Sequence, residues 1–179
     1  MQKHITFPAW LGRKQNSVGG FTLIELMITI TIAGILAAAA APSFRGFMAS
    51  QRIKTASFDL IAALTQTRSE AIKRNVNPGA ATPTSVSMNA AGGGWQNGWT
   101  IVYTDASGTP TTLGAKSAYK GLTIDDLNGA VAVTFRGDGR LGSAAVNLTV
   151  ASTSMSSVTP RCISLSLSGQ PSSKTGSCS

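Results

Sequence analysis

Gly19-Gly20-Phe21-Thr22-Leu23-Ile24-Glu25-Leu26 opens an apolar run that continues to Ala41, and the reading of this stretch decides the fold. Counted from Phe21, the run has 21 residues. As a helix it is roughly 31 Å long, close to the hydrocarbon thickness of a bilayer. A single acid, Glu25, stands inside it. A carboxylate in the middle of a membrane helix costs roughly 2.5 to 3.5 kcal/mol on insertion scales, so an acid retained there marks a function. Ahead of the run lie Lys3, His4, Arg13 and Lys14 and no acid. The positive-inside rule then keeps residues 1–20 in the cytoplasm and sends the bulk of the chain across the membrane.

A basic start, an apolar stretch and the alanines at 37–41 also describe a secretory signal peptide. Three features argue against it. The run exceeds the usual apolar region of about 7 to 15 residues, it contains an acid, and Pro42 stands directly behind the alanines. The glycine pair is the better processing point.

Gly20-Phe21-Thr22-Leu23-Ile24-Glu25-Leu26 resembles the type III signal of type IV prepilins and of type II secretion pseudopilins. The resemblance implies a leader of residues 1–20, cleaved between Gly20 and Phe21 by a prepilin peptidase on the cytoplasmic face. It also implies N-methylation of Phe21 and assembly with other pilin or pseudopilin subunits. In that scheme Glu25 pairs with the Phe21 amine of a neighbouring subunit. Charge physics agrees, because a buried carboxylate is tolerated when it faces a cation and costly when it does not. The implied location is the bacterial inner membrane, crossed once by residues 21–41, with the C-terminal domain in the periplasm and later assembly into a pilus or pseudopilus.

Length and composition fit one external domain. Removing residues 1–20 from the 179 leaves 159, enough for a single core beyond the membrane run. After residue 42 there are 12 Lys and Arg against 6 Asp and Glu, a balance of +6. From Pro42 the polar fraction rises while helical periodicity continues. Ile53, Ala56, Leu60, Leu64 and Ala71 line one face, and Arg52, Lys54, Asp59, Arg68 and Lys73 lie mostly off it. The spacing predicts an amphipathic continuation over 42–78. Gly34 and Pro42 are the places where the long helix is expected to kink, through low propensity and a missing backbone donor.

The segment from Leu64 to Asn75, with Arg68, Ser69-Glu70-Ala71 and Lys73-Arg74, resembles the end of this helix in GspH-type and FimT-type pilins. Glu70 and Arg74 are four apart with the acid first, a helix-stabilising pair worth about 0.2 to 0.5 kcal/mol. Beyond it, runs at 84–88, 99–104, 121–124, 131–135, 145–150 and 162–167 alternate with the period of strands. A long helix followed by short strands predicts an α+β, pilin-like fold. Its N-terminal helix, transmembrane in its first half, packs on a C-terminal antiparallel β domain at 79–179. Trp95-Gln96-Asn97-Gly98-Trp99 and Phe135-Arg136-Gly137-Asp138-Gly139 resemble the turn-flanked strands of GspH and FimT domains.

Cys162 and Cys178 are the only cysteines, lie in the exported part and enclose 15 residues, which predicts a disulfide. In the entropic account such a loop contributes about 3 kcal/mol. No His or third Cys follows residue 42 to turn the pair into a metal site, and the one histidine is His4 in the leader. A Ser/His/Asp or Cys/His arrangement is therefore excluded from the mature chain. Gly92-Gly93-Gly94 is followed by Trp95 rather than by a phosphate-cradle pattern. Asp125 and Asp126 are adjacent and would point to opposite faces of a strand. No enzyme, metal or cofactor is expected.

Members of the FimT group are linked to DNA uptake. The resemblance would place DNA contacts between the cysteines, at a Gly-Arg-x-Arg pattern, where this chain reads Gly169-Gln170-Pro171-Ser172. Arg136, Arg140, Arg161 and Lys174 remain as candidate contacts for weak DNA binding, with ordinary solubility as the competing reading. Trp95 and Trp99 are candidates for stacking on bases or for core packing. The cysteine pair and the basic balance favour a FimT-like minor pilin over a GspH-type pseudopilin; a DNA receptor for natural transformation is the reading from another class.

Overall fold

The computed structural model describes residues 20–81 and 83–179, so the expected leader lies, apart from Gly20, outside the described residues. The chain divides into a unit ending at Ala41 and a unit Pro42–Ser179. In the first, every residue from Gly20 to Ala41 is exposed, and Leu23–Ala41 is long and apolar enough to cross a membrane. A helix that is apolar all round requires lipid or other helices about it. Helix α1, Leu23–Lys73, continues through Gly34 and Pro42 into the second unit.

There the predicted stripe is the buried one. Ile53, Ala56, Leu60, Leu64 and Ala71 join the inner faces of two antiparallel sheets in one core. Ser57 and Thr67, also buried on α1, return their hydroxyls to the carbonyls of Ile53 and Ala63 at 2.7 Å each, so neither is left unsatisfied. The helix stops at Lys73, short of residue 78, because Asn75 takes the left-handed conformation with φ 48°. Asn75 N–H donates to Ile72 and Val76 N–H to Ala71, and Val76 folds back into the core. This is a Schellman closure with asparagine in the usual glycine position.

The strands are β1 Ser85–Ala90, β2 Gly98–Thr104, β3 Pro110–Ser117, β4 Leu122–Asp126, β5 Ala132–Phe135, β6 Val146–Ser152, β7 Arg161–Leu165 and β8 Pro171–Thr175. One sheet has the order β3-β2-β1-β5 and the other β4-β6-β7-β8. Each of the six alternating runs falls on a strand. Two strands have no counterpart among those runs: β3, mostly exposed, and β8, also mostly exposed, both at sheet edges. An edge strand of Pro, Thr, Ser, Gly and Lys pairs through its backbone and buries little, so periodicity does not reveal it.

Glycine is required where the second sheet turns. Gly169 has φ 78°, and a Cβ there would run into the carbonyl of Gly139, so the turns after β5 and β7 meet backbone to backbone. The disulfide joins Cys162 on β7 to Cys178 beyond β8, with Cα atoms 5.0 Å apart. Cys178 N–H donates to Thr149 Oγ1 on β6 at 3.0 Å, so the tail is tied to the sheet twice.

Candidate functional site

The start of α1 is a capping box. Glu25 N–H donates to Thr22 Oγ1 at 3.2 Å, while Thr22 N–H and its hydroxyl both donate to Glu25 Oε2 at 2.9 Å. Thr22 is thus the N-cap and Glu25 the third helical residue, answering backbone donors that a helix start leaves open. The Thr-x-x-Glu signal was present in the sequence, where the acid suggested only an intermolecular role. Phe21, just outside the cap, is 84% exposed, and a side chain at Gly20 would meet nothing within 4 Å.

The aromatic and acidic candidates of the second unit serve structure. Trp95 and Trp99 are buried, and Trp95 Nε1 donates to Ala130 O at 2.7 Å, so neither indole is free to stack on a base. Asp126 accepts the N–H groups of Asn128 and Ala130 at 2.9 Å and of Asn147 at 2.7 Å, pinning the turn after β4 to β6. Glu70 pairs with Arg74 at 2.9 Å, as its spacing predicts, and Arg74 also lies over the Tyr103 ring at 4.4 Å. Arg68 donates through Nε to Gly139 O at 2.9 Å and holds the turn after β5 against the helix.

The four candidate DNA cations do not form one track. Arg136 and Arg140 share the turn after β5, joined by a 2.9 Å backbone bond. Arg161 begins β7, at the opposite end from the Gly139–Gly169 meeting of turns, and Lys174 is paired with Cys162 in the neighbouring register position. Adjacent positions on a strand face opposite ways, so Arg161 and Lys174 leave the sheet on different faces. Arg161 instead lines a small cleft with Lys54 of α1.

Sequence reasoning missed a three-residue cluster. Tyr119 hydroxyl donates to Asp59 Oδ2 at 2.8 Å, and Lys116 Nζ lies 2.7 Å from the same oxygen. The Tyr119 ring also packs on Trp99, with centroids 5.7 Å apart. Burial, then the Asp59 hydrogen bond and charge, push the Tyr119 phenol well above its ordinary range.

A family model described as type II transport protein GspH matches residues 56–169, well over half of the chain. The chain belongs to the GspH family. A second model, for the prokaryotic N-terminal methylation motif, matches residues 15–41 of this GspH-family chain. Among curated relatives, the type IV major alpha-pilin of Moraxella bovis is 46% identical over 50 residues, covering 28% of this chain and 31% of that one. The fimbrial protein of Moraxella nonliquefaciens is 51% identical over 41 residues, 23% of this chain and 27% of its own length. The chain thus matches less than a third of either relative. The fold is that of the type IV minor pilin FimU of Pseudomonas aeruginosa, with TM-score 0.59 and 22% identity over 74% of this chain and 99% of that one. It is shared with the minor pseudopilin EpsH of the Vibrio cholerae type 2 secretion system, with TM-score 0.54 and 11% identity over 69% and 97%. One chain thus joins an N-terminal methylation motif to a GspH domain of pilin-like fold.

Proposed function

We propose that this chain is a FimT-like minor type IV pilin, a non-catalytic filament subunit anchored in the bacterial inner membrane with its second unit in the periplasm. The observation that carries the filament reading is the first unit: a helix exposed and apolar on every side, with one acid held in its opening turn. Prepilin peptidase would cut between Gly20 and Phe21, and the freed Phe21 amine would be methylated and meet Glu25 of a neighbouring subunit. Thr22 engages Glu25 Oε2, while no hydrogen bond among the described residues uses Oε1, which is the oxygen offered to that amine. The cysteine-closed tail and the basic balance favour the pilus side.

The pseudopilin of a type II secretion system is the second reading, favoured by the description of the matching family. A DNA-uptake role is the third and weaker one, because the tail lacks the paired arginines and the four candidate cations are dispersed.

Glu25→Gln tests the filament contact, since glutamine still reaches back to the cap but carries no charge. Processing and membrane insertion are expected to stay normal while the variant is depleted from sheared filaments. Incorporation at wild-type levels would refute the pairing. Deleting the gene separates the two systems: loss of surface pili with intact type II secretion supports the pilin reading, and the reverse supports the pseudopilin.

A further inference from the structure

The cations that the fold does gather lie elsewhere than those singled out in the sequence. A cleft of about 520 Å3 between α1 and the β3–β4 connection is lined by Arg52, Lys116 and Lys120 together with Met48, Gln51 and Tyr119. A second cleft, of about 660 Å3, shares Met48 and Arg52 and adds Phe44, Arg45 and Met155. Residues 44, 48, 51 and 55 or 45, 48 and 52 recur on one helical face, so the two clefts form one surface along the start of the second unit. Arg52 lines both clefts, and its Nη1 lies 3.5 Å from where a Cβ on Gly121 would stand, beside the β3–β4 connection.

Among the described residues, Lys116 is paired with Asp59, while Arg45, Arg52 and Lys120 take part in none of the ion pairs. Three uncompensated cations therefore border apolar walls. Phe44 is 64% exposed, and Met48 is exposed as well. Free cations over exposed apolar side chains match a ligand with an anionic head and a hydrocarbon body. A nucleic acid has the charge without the hydrocarbon.

Sequence distance says where such a ligand is found. Arg45 is four residues past Ala41, the last residue of the candidate span. Even fully extended, four residues reach no further than about 14 Å, so Arg45 stays within range of the membrane surface whatever the course of the chain. We propose that these joined clefts bind an anionic phospholipid of the membrane that holds residues 23–41. Arg45, Arg52 and Lys120 take the phosphate, and Phe44, Met48 and Met155 take the glycerol and the first acyl carbons. The proposal rests on the reading of Leu23–Ala41 as a membrane span and goes beyond the filament role.

The test uses the full chain in nanodiscs of phosphatidylcholine alone or containing phosphatidylglycerol, with hydrogen exchange followed at 118–121 and 153–157. Exchange in both loops is expected to slow only in the anionic discs. Each cation removed weakens binding about fivefold. Arg52→Gln with Lys120→Gln should therefore lose roughly 25-fold and return the loops to their neutral-disc rates. Unchanged exchange in β6 and β7 verifies that this variant is folded. Arg136→Gln with Arg140→Gln removes the same charge from the turn after β5 and should leave the protection intact.

Equal exchange in the two kinds of disc would overturn the proposal, as would equal loss in the control pair. Protection by inorganic phosphate or a short DNA duplex in neutral discs would overturn it in favour of a soluble anion or a nucleic acid. Fast exchange across 23–41 in both discs would overturn the membrane reading together with this one. A protected span with unprotected loops overturns this one alone.

Discussion

Tyr119, in the connection after β3, donates its hydroxyl hydrogen to Asp59 of α1 across 2.8 Å. Sixty residues of chain separate the pair, and the bond ties the outer sheet edge to the helix. Because the folded phenol titrates above the ordinary value of 10.0, the bond stabilises fully below about pH 10. That contribution is lost as pH rises from there towards the folded value. Tyr119→Phe should cost about 1 kcal/mol at neutral pH and flatten the alkaline fall in stability. Urea unfolding at neutral and alkaline pH reads both, and parallel curves for wild type and variant would refute the assignment.

Thr22→Ala removes one half of the capping box. The loss should be about 1 kcal/mol of helix stability at the first turn. Amide exchange at residues 23–26, measured on the chain in micelles, should rise while residues 30–40 stay protected; no change would show that the cap is idle.

Processing at the glycine pair has its own signature. Gly20→Glu should leave full-length precursor in the membrane, seen as a heavier band on a gel. Mass spectrometry of the wild-type mature chain should find Phe21 at its N-terminus, and a terminus near Ala40 would instead establish a secretory signal.

Cys162→Ser should free the tail. The loss is at most about 3 kcal/mol on the entropic account. Its local mark is faster exchange in β8, which is exposed and held otherwise by pairing with β7 and by Cys178 N–H on Thr149. Protection of β8 equal to wild type would show that the bridge adds nothing there.

DNA binding by the full chain should be weak and shallow in salt. With only Arg136 and Arg140 sharing one turn, the log–log slope of affinity against salt is expected near about −2. A mobility-shift series giving a slope of about −5 or steeper would require a phosphate track that the dispersed cations do not form.

The helix, its membrane-length first part, the buried stripe from Ile53 to Ala71, the cysteine pair and six of the strands are local or periodic features, and they are legible in the sequence. Periodicity carries them because burial of one face repeats along the chain. The Thr22–Glu25 cap is a local pattern too, a threonine and an acid three residues apart, but the acid's charge masked its capping role. The edge strands β3 and β8 were not legible, since their hydrogen bonds come from neighbours rather than from their own polar sequences. Neither were the Asp59–Tyr119–Lys116 cluster and the Arg45–Arg52–Lys120 surface. Each draws side chains from elements some sixty or more residues apart, and only the packing of α1 against the connection after β3 brings their charges within range.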